Sequence, residues 1–288
     1  MAGANMKAVK LRISSVQNTM QITKAMQLVA ASKLRKAKER ADESKPYLSI
    51  LGKTLEDIAN SNRDFQSPYS KPSGSDRWLF IVIAGDRGLA GGYNSNLFRF
   101  MESETKGRDY DVFPLGRKSV EYFRHKNVKL FTEEYAEVAK VGVSDCFEIA
   151  REICDAFRKG EYGHVFLCYT NFVSMLNQTP SATSLLPLSD FRTGEKRELD
   201  GKAKNLILYE PDSEEVFNTV VPEYLAGLLY TSINVSVASE LAARRTAMEA
   251  ATDNAEEMIE NLSLFYNRAR QASITQEITE IVAGAEEP

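Results

Sequence analysis

Residues Met6 to Lys38 read "MKAVKLRISSVQNTMQITKAMQLVAASKLRKAK", and this stretch contains no acidic residue. Eight Lys or Arg side chains precede the first acid, Glu39, although the whole chain has a formal net charge of -4. Three explanations compete for so basic a beginning: a cleaved targeting peptide, a nucleic-acid-binding arm, or a helix that faces an acidic partner. The stretch also lacks glycine and proline, so it predicts a long helix.

Glycine and proline are distributed unevenly along the chain. Neither occurs between Gly3 and Pro46 or between Gly227 and Gly284, whereas "SPYSKPSGSD", Ser67 to Asp76, is rich in both. Each end of the chain therefore predicts a long helix, and the C-terminal one would be roughly 80 Å long. Because such a helix exceeds the diameter of a small domain, part of it must be covered by something else.

Apolar residues recur at helical spacing in both runs. One column in the C-terminal run has a period of seven: Leu241, Met248, Ala255, Leu262 and Ala269. The N-terminal run steps by four, three and four through Val9, Ile13, Val16 and Met20. Two such stripes at opposite ends of one chain favour an antiparallel coiled coil. The alternative is that each stripe packs on an ordinary core.

The middle of the chain has a different sequence pattern, in which apolar runs typical of buried strands alternate with a run of helical spacing. The strand candidates are "RWLFIVIAGD" (77–86), "YDVFPLG" (110–116) and "GHVFLCYT" (163–170), and "VSDCFEIAREICDAFRKGEYG" (143–163) has helical spacing. This alternation predicts a parallel α/β sheet. Two further strands, "SLLPL" (184–188) and "KNLILYEP" (204–211), are expected at its edge.

These patterns divide the chain into four parts. We predict an N-terminal shaft helix over 1–62, a linker over 63–76, a central α/β domain over 77–210 and a C-terminal shaft helix over 211–288.

Composition excludes several classes of protein. Apolar residues make up 43% and charged residues 26%, as in a globular protein, and the acidic balance argues against a dedicated nucleic-acid binder. Cys146, Cys154 and Cys168 form no CxxC pair, which indicates reduced thiols. His125 and His164 are too few and too scattered for a metal site, so none is predicted. No apolar run approaches the ~20 residues of a membrane span, and a signal-peptide core is missing.

The most enzyme-like motif is "GDRGLAGGYN", which follows the first strand. Its glycines, Gly85, Gly88, Gly91 and Gly92, do not match GxGxxG, and no GK[ST] ending of a P-loop follows. A nucleotide-binding turn is the functional interpretation, and a tight strand-to-helix turn that needs positive φ angles is the structural one. We favour the structural turn, because Asp86 would place a negative charge beside any phosphate. Substitution of Gly91 or Gly92 should then harm folding rather than binding.

No catalytic residue is predicted. No Ser/His/Asp or Cys/His triad can be assembled. The stretch "GRKS", Gly116 to Ser119, is similar to the end of a Walker motif, but Asp111 occupies the place of the motif's first glycine, so we reject this match. His125 lies in a polar helix, "KSVEYFRHKN", and is expected at the surface.

The C-terminal stretch "NLSLFYNRARQASITQEITEIVAGA", Asn261 to Ala285, is apolar with few charges. Its apolar residues are not confined to one face, so the exposed helix would tend to associate with other apolar surfaces in water. We therefore favour insertion into a partner's cavity over burial in the chain's own domain.

Four stretches together resemble the gamma subunits of the F-type rotary ATP synthase. They are "NTMQITKAMQLVAASKLRKA" (18–37), "DRGLAGGYN" (86–94), "AMEAATDNA" (247–255) and "YNRARQASITQEITEIVAGA" (266–285). The resemblance covers essentially the whole chain, although roughly 102–200 matches only in general pattern.

The resemblance implies an architecture and a set of partners. The end helices would form an antiparallel coiled-coil shaft inside a hexamer of alpha and beta subunits, and the central domain would be Rossmann-like. That domain would lie near the membrane and hold the epsilon subunit and the ring of c subunits. Ion flow would turn ring and shaft, and the shaft would force each beta subunit through its states. The chain would bind no cofactor, nucleotide or nucleic acid and catalyse nothing.

The resemblance also implies contact residues. Lys24 and Met26 would face acidic loops of the beta subunits, and so would the other cations of the basic run. Of the three explanations for this run, the resemblance therefore favours a helix that faces an acidic partner. Arg270, Gln271 and Thr275 would form the main polar contact with the beta ring, and Gln271 and Thr275 share a helix face because they are four residues apart. The cysteine-bearing insertion of chloroplast members is missing.

We expect the N-terminus to be retained, because the motif that pairs with the C-terminal helix begins at Asn18. The expected location is the cytoplasmic face of the cell membrane, as a peripheral part of the complex. The rival functions are a Rossmann-like nucleotide-binding enzyme that uses Gly85 to Gly92, which cofactor binding would reveal, and a DNA-binding arm, which salt-dependent binding would reveal.

Overall fold

The computed structural model describes residues 2–60, 65–188 and 209–285. It divides into two compact units, one of Met1–Ser32 with Arg244–Pro288 and one of Lys33–Ala243. The division of the sequence at 62, 76 and 210 stays a prediction.

Two long helices confirm the main expectation from the sequence. Helix α1 runs from Ala2 to Ala59 and helix α5 from Ser213 to Ala285. Both continue through residues that usually break helices, since α1 contains Pro46 and Gly52, and α5 contains Pro222 and Gly227. Tertiary packing of the flanking apolar residues overrides the local cost of these positions.

The two helices pair in an antiparallel coiled coil, as predicted. In the first unit, Val9 and Ala30 of α1 and Met248 and Ala255 of α5 are buried. Between these apolar layers, the hydroxyls of Thr23 and Thr252 are 2.8 Å apart in a buried hydrogen bond. In this unit the contact between the helices therefore combines small and apolar side chains with a matched pair of hydroxyls.

In the second unit, each helix uses a glycine to admit a tyrosine from the other. A Cβ built on Gly52 would lie 3.4 Å from the Tyr224 ring, and one built on Gly227 would lie 3.5 Å from the Tyr47 ring. Rising residue numbers on α1 thus oppose falling numbers on α5, as antiparallel pairing requires.

The central sheet has the order β2-β1-β3-β4. Its strands are β1 (Trp78–Ile83), β2 (Tyr110–Leu115), β3 (His164–Phe172) and β4 (Gln178–Leu186). β1 is parallel to both β2 and β3, and β3 is antiparallel to the edge strand β4. The apolar pattern at 184–188 marked only the end of β4, because most of this edge strand is polar. The second predicted edge strand, 204–211, lies mostly outside the described residues.

Shorter helices cover the sheet. They are α2 (Tyr93–Glu104), α3 (Arg117–His125) and α4 (Val143–Arg158), with a 3₁₀ turn at Val138–Lys140. Alternate residues of β1 enter two separate cores: Leu79, Ile81 and Ile83 lie in the core that includes α4 and the first turns of α5, and Phe80 and Val82 lie in the core with α2. His125 is exposed at the end of α3, as expected.

Part of α5 is strongly apolar. Contrary to the prediction, one 18-residue stretch of this helix is apolar enough to cross a membrane by length and composition alone, but 72% of it is buried inside the protein. Burial in the protein core accounts for this hydrophobicity.

The three cysteines are free and buried. Burial raises the pKa of the Cys146 and Cys154 thiols to about 12, and it also raises the pKa of Cys168. Because the thiolate is the reactive form, we expect iodoacetamide to modify the folded chain slowly and all three thiols rapidly after denaturation. Mass spectrometry of the modified chain checks this, and fast labelling of one thiol in the folded chain would show that the site opens.

Candidate partner-contact surfaces

The glycine turn connects β1 to α2, and its backbone is left-handed at two positions. Positive φ angles occur at Leu89 (62°) and Gly91 (54°). The other three glycines of the motif, Gly85, Gly88 and Gly92, have no positive φ. Among the glycines of this turn, backbone conformation therefore favours glycine at Gly91 alone.

Close neighbours explain two of the remaining glycines. A Cβ on Gly85 would lie 2.8 Å from the Cδ carbon of Glu240, inside van der Waals contact. A Cβ on Gly92 would lie 3.2 Å from the Asn96 side-chain amide, and one on Gly88 would meet nothing within 4 Å. Helix α5 thus packs directly on the first glycine of the turn.

Asp86 occupies the position at which a Rossmann-like turn would present a phosphate-binding site. Its carboxylate accepts backbone N–H bonds from Val138 (2.9 Å), Ala139 (3.2 Å) and Arg117 (3.3 Å). Backbone N–H groups at the start of a helix usually attract anions, and here the chain's own carboxylate takes them. A bound phosphate would face that negative charge.

The basic segment lies on α1. Lys24 is exposed and Met26 is half-buried. Residues two apart on a helix point to nearly opposite sides, so one partner loop cannot meet both side chains from the same direction. The structure thus separates the two predicted contacts on the helix surface.

The C-terminal part of α5 carries the other predicted contacts. Arg270, Gln271 and Thr275 are all exposed. The Thr275 hydroxyl donates to the Gln271 carbonyl at 2.9 Å, so these two residues share a face, whereas Arg270 lies about 100° away around the helix.

Large apolar side chains are exposed over the same segment. They include Phe265 and Ile274, and further along the helix Ile278, Ile281 and Val282, of which Ile281 is 71% exposed. These residues share a segment with few charges, and water is a poor solvent for so many adjacent apolar groups. We call 264–282 the apolar tip.

Sequence reasoning missed the buried polar residues of α5 that lie at the ends of the sheet strands. Ser236 and Ser239 are fully buried and Glu240 is 7% exposed, all beside the carboxyl ends of β1 and β3. The available signal was the stretch "SVASE" (236–240), in which Ser236, Ser239 and Glu240 are spaced by three and four residues and so share one helix face. Within the described residues, no cluster of His, Cys, Asp or Glu could hold a metal ion.

Comparison with known proteins finds one family along the whole chain. The family described as ATP synthase matches residues 5–287. The chain is 46% identical over 284 residues to an ATP synthase gamma chain of Ruminococcus albus, and the match covers 96% of each chain.

Solved structures share the fold at low sequence identity. A chain of the Euglena gracilis mitochondrial ATP synthase rotor has a TM-score of 0.63 at 15% identity, covering 94% of this chain and 99% of that one. A chain of the Tetrahymena thermophila mitochondrial ATP synthase central stalk and c-ring has a TM-score of 0.60 at 23% identity, covering 80% and 99%.

Proposed function

This chain belongs to the ATP synthase gamma chain family and has its central stalk role, and from that premise we propose how it works. It is the rotor shaft that couples ion flow through a membrane c-ring to ATP synthesis or hydrolysis on the beta subunits. The observation that carries the proposal is the apolar tip, 264–282, because a long helix that ends in so many exposed apolar side chains requires a surrounding partner.

The hexamer of alpha and beta subunits supplies that surrounding surface. A ring that encloses the tip buries the exposed Phe265, Ile274 and Ile281 side chains, and each contributes about 1 kcal/mol or more because about half or more of its surface is still exposed. Arg270, Gln271 and Thr275 lie within the same segment and give the ring a polar contact with one beta subunit at each shaft angle.

The basic stretch of α1 suits an acidic partner rather than a nucleic acid. Lys24, Lys33 and Lys36 are exposed, and among the described residues none of the three has a carboxylate at ion-pair distance. Acidic loops of the beta subunits would be attracted to these cations and would be oriented by them during assembly. This is the role that we assign to the stretch without acids.

The central domain connects the shaft to the epsilon subunit and the c-ring, at the cytoplasmic face of the membrane. It performs no chemistry in this account. The Asp86 carboxylate lies in the glycine turn and would repel a phosphate bound there, which argues against the nucleotide-binding enzyme.

Co-expression with alpha and beta subunits tests the assignment. We expect a complex that hydrolyses ATP and contains one copy of this chain, whereas the isolated chain should not bind ATP or NAD saturably in calorimetry. Tight nucleotide binding by the isolated chain, or failure to co-purify with the ring, would contradict the proposal.

A further inference from the structure

Parallel sheets bind their ligands beyond the carboxyl ends of the strands, at the point where the strand order reverses. In this sheet β1 lies between β2 and β3, so the reversal point is the crevice between the ends of β1 and β3. Residues 236–240 of α5 contact both ends. Side chains of the protein itself therefore occupy the position of a ligand.

Ser236 is the centre of this arrangement. Its hydroxyl is 2.7 Å from the Tyr93 hydroxyl at the start of α2, and it lies 3.4 Å from the Thr170 backbone nitrogen, which donates to it. It also points to the carbonyl of Ile83, the last residue of β1, at 3.5 Å. One α5 hydroxyl thus touches β1, β3 and α2.

Two neighbours extend the contact in both directions. The Ser239 hydroxyl lies 2.9 Å from the Thr170 carbonyl and 3.0 Å from the Val235 carbonyl of its own helix, and it can donate to either. On the other side, the Glu240 carboxyl group covers Gly85, whose own N–H donates to the Asn94 side chain at 2.9 Å. The Gly85 carbonyl also accepts the Lys118 N–H at 3.0 Å, so the backbone under Glu240 is held from both sides.

We propose that this crevice is the socket that sets the rotational position of α5 on the central domain, with Ser236, Ser239 and Glu240 as positioning residues for torque transfer. An apolar helix face can rotate between similar packings, whereas buried hydrogen bonds are satisfied at one angle only. The proposal rests on the shaft function above, and it predicts that a side chain at Gly85 would displace the Glu240 carboxyl group.

The test compares two substitutions in the same turn, in the complete enzyme reconstituted into lipid vesicles. Gly85→Ala places a methyl group against the Glu240 carboxyl group, and Gly88→Ala places one in open space. We expect the number of ions pumped per ATP hydrolysed to fall in Gly85→Ala. Its rate of ATP hydrolysis, measured in the complex without the c-ring, should stay at the wild-type value. Gly88→Ala should keep the wild-type ratio.

A second pair keeps the test decisive if Gly85→Ala does not assemble. Ser236→Ala removes only the central hydroxyl, and Ser103→Ala removes an exposed hydroxyl on α2 that bonds only within its own helix. We expect a loss of pumping per ATP in Ser236→Ala but not in Ser103→Ala.

The proposal is overturned if Ser236→Ala and Gly85→Ala pump as many ions per ATP as their controls. It is also overturned if unloaded hydrolysis and thermal stability fall together with pumping, because a merely structural role would give that result. If the wild-type enzyme itself does not couple, the shaft function fails rather than the socket.

Discussion

Replacement of Arg77 by methionine is expected to destabilise the isolated chain by about 3 kcal/mol, because it leaves a buried carboxylate without its main partner. Asp111 at the start of β2 is fully buried, and its Oδ1 atom lies 2.9 Å from the Arg77 guanidinium. The Tyr162 hydroxyl donates to Oδ2 at 2.7 Å, and the Lys129 ammonium lies 3.4 Å from the same oxygen. Lys129 is more exposed and more distant, so it replaces Arg77 only in part.

Urea unfolding of the isolated chain measures this loss of stability. Two further variants serve as a control and as a test of the cause. Arg158→Met removes the cation of an exposed pair with Asp155 on α4 and should change stability little. Adding Asp111→Asn to Arg77→Met removes the buried charge, keeps an acceptor for Tyr162 and should restore part of the loss. Equal stability of Arg77→Met and Arg158→Met would show that Asp111 is not held by Arg77.

Arg270→Ala is expected to cause the largest functional loss. The side chain is exposed in the isolated chain, so its removal should leave the melting temperature almost unchanged. In the assembled enzyme we expect it to be buried against one beta subunit, where truncating one partner of a charged hydrogen bond costs ~2–5 kcal/mol. Assembly or coupled turnover should therefore fall sharply.

Arg268→Ala is the matched control for that substitution. Arg268 is also exposed, but it lies two residues earlier and points to a different side of α5. Melting of the free chain and ATP-driven ion pumping by the complex give the two readouts. The contact is disproved if Arg270→Ala couples as well as Arg268→Ala, or if the free chain unfolds.

The sequence predicts the helices and the buried strands, because each follows a strong local signal. Absence of breakers and a repeat of seven mark α1 and α5, and a continuous apolar run marks β1. The predicted helix over 1–62 already passes through Pro46, but the local sequence gives no reason for this continuation, because it depends on tertiary packing that outweighs the penalty of a proline. The prediction locates only the apolar end of edge strand β4, because the rest of that strand is mostly polar.

The turn at Gly85 shows a different limit of sequence reasoning. A glycine-rich motif after a first strand indicates a tight turn, but not what the missing side chains make room for. At Gly85 the reason is Glu240, which is distant in the chain and adjacent in space. For Asp86 the sequence gives only its charge, and the structure adds the backbone N–H groups from which its carboxylate accepts hydrogen bonds; the absence of a nucleotide site stays a prediction.

Single-molecule rotation tests the central claim most directly. The ring of alpha and beta subunits is fixed to a surface, and a bead is attached to the central domain of this chain. Our account predicts that ATP makes the bead turn in one direction, in steps, for as long as ATP is hydrolysed. A bead that stays still on complexes that continue to hydrolyse ATP would contradict the account.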